Sequence, residues 1–170
     1  VTPLEPGCYL CWAIDSTPDL SRRQSVWEPQ RVTVPRAWDQ AVQQVRATFE
    51  SAVMLRMRSD VPVGTCLSGG IDSSSIVAVA CSAPSTRMKT FSVCHDDPRI
   101  SEEHYIDDVT RHCGVESIKL RLDPEQALAD LDTFLYHQDE PVYSLSQYGE
   151  FAVTRLAREH GVPVLLNGQG

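Results

Sequence analysis

Val61-Pro62-Val63-Gly64-Thr65-Cys66-Leu67-Ser68-Gly69-Gly70-Ile71-Asp72-Ser73-Ser74-Ser75 is the stretch on which the fold turns. An apolar, β-favouring run leads directly into Ser-Gly-Gly, and the residues after it read as the opening of a helix. A strand–glycine turn–helix junction presents free backbone N–H groups and the positive end of a helix to an anion. The paired glycines remove the side chains that would hold a phosphate away and permit positive φ where the turn requires it. Ser68, Ser73 and Ser74 add hydroxyl donors, and Asp72 supplies a hard oxygen suited to Mg²⁺. A lone Gly-Gly would be read more plainly as a tight turn before a serine-capped helix. The strand-to-helix context is what gives the motif its weight as a phosphate loop.

Outward from this junction the pattern alternates helix and strand. Trp38, Val42, Val45, Phe49 and Val53 fall at steps of three and four, which predicts a packing stripe on a helix over 36–58. A strand over 63–67, the loop and a helix over 72–81 follow, then a strand over 89–93. Tyr105, Ile106, Val109 and Cys113 mark a helix over 102–113 that Gly114 ends. A strand over 115–122 precedes a helix opened by Pro124 and running to about His137. The last helix, over 146–160, stops at Gly161, and a strand over 162–166 ends on a glycine-rich tail. This order predicts an α/β fold with a mostly parallel sheet sandwiched by helices, preceded by a short β-rich, proline-punctuated remnant. In such sheets ligands sit beyond the carboxyl ends of the strands. Leu67–Gly70, Val93 and the stretch from Asn167 onward each lie at one of those ends, which predicts one nucleotide site.

The composition narrows the function classes. A formal charge of −8 and a pI near 5.0 argue against non-specific nucleic-acid binding, which relies on clustered Lys and Arg. No apolar run approaches the roughly 20 residues of a membrane span, and no signal-peptide pattern is visible. The six cysteines are scattered, and Cys8-x-x-Cys11 has no second Cys or His pair at zinc spacing, so they are expected to be packing residues with free thiols. A cytoplasmic location fits that usage.

Ser68-Gly69-Gly70-Ile71-Asp72-Ser73 resembles the pyrophosphate loop of ATP pyrophosphatases, whose fold is of the adenine-nucleotide α-hydrolase type; no lysine follows the glycines as a Walker loop would require. The preceding Asp60-Val61-Pro62-Val63-Gly64 is similar to the lead-in found in the synthetase domain of glutamine-dependent asparagine synthetases and their close relatives. By that resemblance Ser68, Gly69, Gly70, Ser73 and Ser74 cradle the pyrophosphate of ATP, and Asp72 binds Mg²⁺ and is a catalytic residue. Leu67 and Val93 contact the adenosine, and Asn167 with Gly168 border the nucleotide, although serine or aspartate is more usual at position 167.

Tyr136-His137-Gln138-Asp139-Glu140-Pro141 resembles the family's Tyr-His-x-Asp-Glu-Pro. Asp139 and Glu140 are therefore further catalytic candidates, able to order magnesium, ATP or an ammonium group; a polar helix exit before a proline reads equally well. Glu102 and Tyr105 match a family Glu-x-x-Tyr. Leu4 to Leu10 and Trp27-Glu28-Pro29 resemble the end of the family's glutaminase domain and its linker. Residues 1–34 are accordingly expected to be that end and linker, and 35–170 the N-terminal part of a truncated synthetase domain, since the family continues Asn167-Gly168-Gln169-Gly170 into Asp-Glu.

The resemblance implies a ligase that joins aspartate and ammonia. The aspartate carboxylate attacks the α-phosphorus of ATP, and ammonia then displaces AMP from the aspartyl adenylate. Its cofactors would be ATP and Mg²⁺, and its ammonia would come from glutamine at a separate glutaminase domain. The full-length protein is compatible with a homodimer, its oligomeric state being left open, and the excerpt alone is expected to have no glutamine-dependent and very little ammonia-dependent activity. The alternatives are a related adenylating amide ligase of peptide or antibiotic biosynthesis, of β-lactam synthetase or lasso-peptide cyclase type, and an inactive nucleotide-binding fragment.

Overall fold

The structure is a computed structural model and describes residues 3–30, 33, 35, 37–82, 88–139 and 141–168. The chain forms two compact units, Val1–Gln43 and Gln44–Gly170. In the first, β1 (Cys8–Tyr9) pairs antiparallel with β2 (Gln24–Ser25), and a single 3₁₀ turn, Leu20–Arg22, lies between them. Two-residue strands bury little, and Trp12, Ile14, Val26 and Trp27 stay largely exposed.

The second unit carries a four-stranded parallel sheet in the order β5-β4-β3-β6, built from β3 (Val63–Cys66), β4 (Lys89–Cys94), β5 (Glu116–Arg121) and β6 (Val164–Leu166). The intervening helices are α2 (Ile71–Cys81), α3 (Glu103–Cys113), α4 (Pro124–Ala129), α5 (Leu131–Gln138) and α6 (Leu145–Glu159). A parallel pair needs a helical crossover, which buries both sheet faces. One face packs Ile76, Val77 and Ala80 of α2 and Ile106 of α3 with Met88 and Cys94. On the other, Val153 and Ala157 of α6 pack with Phe91 and Val162.

The strand order positions the site. From β3 the chain winds outward to β4 and β5, then returns across the sheet to β6 on the other side of β3. That reversal leaves a crevice at the carboxyl ends of β3 and β6, where open α/β sheets bind ligands.

Three expectations need correction. The helix α1 (Trp38–Arg56) exists, but its apolar stripe packs only at its end. Val53 is buried and Phe49 packs beside it, whereas Trp38, Val42 and Val45 are 80, 48 and 69 % exposed. Periodicity identifies a face without saying what covers it. The helix expected from Pro124 to about His137 is instead α4 and α5, interrupted at Asp130. The Asp130 carboxylate takes hydrogen bonds from Gln126, Tyr148 and Arg155, two of them on α6, and those tertiary contacts break the local repeat. The last strand begins at Val164 rather than Val162, because the Val162 N–H is used by Ala157 O at 2.9 Å in closing α6.

Candidate functional site

The turn after β3 is held by its own side chains. Leu67 N–H still bonds Phe91 O at 2.9 Å, one bond beyond the strand, so the loop starts from a fixed point. The Ser68 and Ser73 hydroxyls lie 3.0 Å apart, Ser68 N–H donates to Ser73 Oγ at 3.2 Å, and Gly70 N–H donates to Ser68 Oγ at 3.3 Å. Gly69 adopts φ +87°, and a Cβ there would stand 3.0 Å from Tyr105 Cβ and 3.2 Å from Glu102 O. Glycine is required on both grounds, conformation and space. Glu102 and Tyr105, the Glu-x-x-Tyr pair, thus serve as the wall against which the turn is folded.

Gly70 stands at the N-cap of α2 with φ −69° and ψ 163°, and no side chain caps the helix there. Ser74 N–H makes the first helical bond, to Gly70 O at 3.0 Å, which leaves the N–H groups of Ile71, Asp72 and Ser73 without an intrahelical acceptor. The positive end of α2 therefore opens into the crevice. From the other side of β3 the tail of β6 closes on it. A Cβ on Gly168 would sit 3.0 Å from Ser73 N and 3.2 Å from Asp72 Cβ, so only glycine lets the two segments come this close.

These segments border a cavity of about 700 Å³. Its polar side is Ser68, Gly70, Asp72, Ser73, Asn167 and Gly168. Leu67, Phe91, Val93, Leu122 and Val153 form an apolar side at the strand ends and on α6. Cys66 also lines it, and burial, followed by the nearby Glu150 charge, pushes its thiol up to about 11; it is a packed neutral thiol, not a nucleophile. A polar cradle at a helix N-terminus beside an apolar wall suits a ligand with a phosphate end and a flat apolar end.

Of the residues singled out from the sequence, Leu67, Ser68, Gly70, Asp72, Ser73, Val93, Asn167 and Gly168 all line this cavity. Gly69 shapes the turn and faces Tyr105 and Glu102 instead. Ser74 Oγ is buried without a hydrogen-bond partner among the described residues, and it does not line the cavity. Asp139 lies past the end of α5 at φ +55° and is not among the cavity residues; Glu140 lies outside the described residues. Cys11 is exposed, so the packing role expected of it is not observed, and all six cysteines are free thiols.

Sequence reading missed the contribution of α6, through Ser146, Gly149 and Glu150, and of His95 and Ile100 beyond β4. The available signal was the Ser144-x-x-Gln147 capping box, which fixes where α6 begins and hence which turn meets the sheet. As for a cation, no group of three or more His, Cys, Asp or Glu able to hold a metal occurs among the described residues. Of the carboxylates that line the cavity among the described residues, Asp72, Glu102 and Glu150, Asp72 is the one on the opening turn of α2, which fits a Mg²⁺ that takes most of its ligands from phosphate and water. No helix among the described residues is long and apolar enough to cross a membrane.

A parallel sheet with a glycine turn between β3 and α2, a close second loop after β6 and a cavity between them define a nucleotide-binding α/β domain of the pyrophosphate-loop kind. Residues 44–170 match the asparagine synthase family, and the chain belongs to that family. It is 37% identical over 132 residues to asparagine synthetase [glutamine-hydrolyzing] 1 of Bacillus subtilis, covering 78% of this chain and 21% of that protein. A putative asparagine synthetase [glutamine-hydrolyzing] of Mycobacterium tuberculosis is 32% identical over all of this chain and 26% of its own length. The amidase chyE of Penicillium rubens is 28% identical over 97% of this chain and 27% of its own. The chain thus spans about a quarter of the length of these relatives. A solved NH3-dependent NAD synthetase from Campylobacter jejuni shows a TM-score of 0.46 at 15% identity, over 71% of this chain and 53% of that one.

Proposed function

We propose that this chain is the ATP-binding part of a ligase that makes an amide by way of an acyl adenylate, with aspartate, ATP and ammonia giving asparagine, AMP and pyrophosphate. The observation that carries the reading is the Ser68–Ser73 turn at the carboxyl end of β3, with open N–H groups on α2 and Gly168 packed against them. Such a cradle holds the β- and γ-phosphates as a leaving group and lacks the lysine that accompanies γ-phosphoryl transfer.

In this reading the substrate carboxylate attacks the α-phosphorus, the α–β bridging bond breaks, and pyrophosphate leaves into the cradle. Ammonia then adds to the adenylate carbonyl, loses a proton and expels AMP. Hydroxide is a poor leaving group and AMP a good one, which is why adenylation makes amide formation feasible. The chain's own contribution is positioning and charge stabilisation. Leu67 and Val93 flank the base, the α2 N–H groups and Ser68 and Ser73 hold the phosphates, and Asn167 and Gly168 close over them. Asp72 would hold Mg²⁺, which when bound neutralises the pyrophosphate. Asp139 and Glu140 remain candidates for ordering magnesium, ATP or an ammonium group, although Asp139 is not among the cavity residues. Residues 1–34 would be the end of a glutaminase domain with its linker, the source of ammonia from glutamine, and 35–170 the first part of the synthetase domain.

A second reading keeps the loop and changes the acceptor. The matches extend beyond proteins named asparagine synthetases to two named amidases, chyE and chry2 of Gibberella zeae, and this spread supports an adenylating amide ligase acting on another carboxylate. Phosphorus NMR of the products made by the intact ligase tests what both readings share: AMP and pyrophosphate are expected, and stoichiometric ADP would refute them. Replacing aspartate by other carboxylic acids in a carboxylate-dependent ATP–pyrophosphate exchange assay then separates the two.

A further inference from the structure

We infer that His95 is an additional phosphate-binding residue of this site, reaching the nucleotide's phosphate chain from the rim beyond β4. The inference rests on the nucleotide reading above and adds to it a residue that neither the loop motif nor the family match marks.

The argument begins with the charges around the cavity. Among the described residues the cavity is lined by the carboxylates Asp72, Glu102 and Glu150 and by no lysine or arginine. An ATP phosphate chain carries several negative charges, and the N-terminus of α2 supplies the equivalent of only about half a positive one. A Mg²⁺ held at Asp72 would supply more. His95 is the one lining side chain, among the described residues, that can become a cation or donate an N–H from a ring.

Its placement supports the assignment. His95 follows the last residue of β4, and β4 is the immediate neighbour of β3, whose end carries the phosphate turn. Both sides of the end of β4 reach the cavity, Phe91 and Val93 from one and Ser92 from the other, so the cavity spans the strand end that His95 follows, and His95 itself lines it.

The acids nearest to it in sequence are already engaged elsewhere. Asp96 accepts from Arg121 at 2.7 Å, and Asp97 is paired with Arg99. His95 makes no hydrogen bond, ion pair or ring contact with any described residue, and it is exposed. An imidazole at the rim of an anion cavity, with its neighbouring carboxylates paired to arginines, is available to a phosphate.

The test is calorimetric titration of the chain and of its His95→Phe and His95→Lys variants with ATP, inorganic pyrophosphate and adenosine, each in the presence of Mg²⁺. His95→Phe should weaken ATP and pyrophosphate roughly tenfold, the scale of one exposed charge-assisted hydrogen bond, with adenosine unchanged. His95→Lys should recover much of that loss. Equal weakening of ATP and adenosine, or unchanged ATP and pyrophosphate, would overturn the assignment of His95. Wild-type chain that binds pyrophosphate but not ATP would overturn the nucleotide reading while leaving His95 to be judged on pyrophosphate alone. Wild type that binds none of the three refutes both. Because His95 is exposed, circular dichroism of the variants should match wild type, which separates lost binding from lost fold.

Discussion

The two junctions where β3 passes into α2 and β4 passes into α3 start alike and end differently. Each leaves the carboxyl end of a central parallel strand and enters a helix on the same face of the sheet. The first takes four residues, Leu67 to Gly70, and is folded on hydrogen bonds among its own serines and Gly70. The second takes eight, His95 to Glu102, and is laced with ion pairs. Arg121 binds Asp96 and Glu103, Lys119 binds Glu103 and Asp107, and Arg99 binds Asp97. At the second junction Asp96, Asp97 and Glu103 have been used to hold structure, and His95, Ile100 and Glu102 are what it adds to the cavity lining. At the first, the opening N–H groups of α2 and the Asp72 carboxylate have been left open, and unspent polar groups at a strand end are what a ligand can use.

The largest effect should come from filling the turn at the open junction. Gly69→Val places a branched side chain at φ +87° and drives it into Tyr105 and Glu102. The substitution should cost about 2 kcal/mol in chemical denaturation and abolish detectable ATP binding. Retained binding would show that the turn seen here is not the one that holds phosphate.

Asp72→Asn separates chemistry from architecture at the same place. Asp72 sits in the first turn of α2 at the cavity wall, and its loss should leave stability within about 0.5 kcal/mol. The gain in ATP affinity on adding Mg²⁺ should fall roughly tenfold, since one metal carboxylate is gone. An unchanged Mg²⁺ dependence in titration calorimetry would reduce Asp72 to a favourable charge at a helix end.

The closed junction should behave in the opposite way. Lys119 is about one-fifth exposed; burial works against its charge, but the hydrogen bonds it donates to Asp107 and Glu103 outweigh that and hold its pKa above the ordinary lysine value. Lys119→Met should cost about 1 kcal/mol, more than a solvated pair and less than a fully buried one, with ATP affinity unaltered. If ATP binding fell in step with stability, the two junctions would not be divided by role as proposed.

The same division explains what was legible in the sequence. The open junction could be read because its chemistry is local: Ser68, Gly69, Gly70, Asp72 and Ser73 act through backbone and side chains within a few positions of each other. The alternation of strands and helices was legible too, since each element shows its period alone. What escaped was set by distant partners. Glu150 and His95 reach the cavity only once α6 and β4 are packed, and no spacing marks them. Asp130 splits a helix because Tyr148 and Arg155 meet it from α6. The exposed upper half of the α1 stripe is the converse, a local pattern without a described partner to complete it.

The last contrast concerns Asp130, the clearest carboxylate spent on structure. Its side chain is 12 % exposed and lies 2.7 Å from Arg155, whose hydrogen bond, against the opposing effect of burial, holds its pKa down at about 2. Tyr148 and Gln126 add further bonds to the same group. A carboxylate whose pKa is lower folded than unfolded stabilises the fold only while it is ionised. That stabilisation should be present in full above the ordinary aspartate value of about 4 and be lost as pH falls from there to about 2. Asp130→Asn cannot ionise, so it should be less stable than wild type at neutral pH, and the gap should close across that window. Thermal melts of both proteins from pH 5 to pH 2 give the comparison directly. Parallel curves, with a gap independent of pH, would mean that the Asp130 contacts act through shape and hydrogen bonding alone. In that case the contrast with Asp72 would be one of position in the fold and not of how each charge is used.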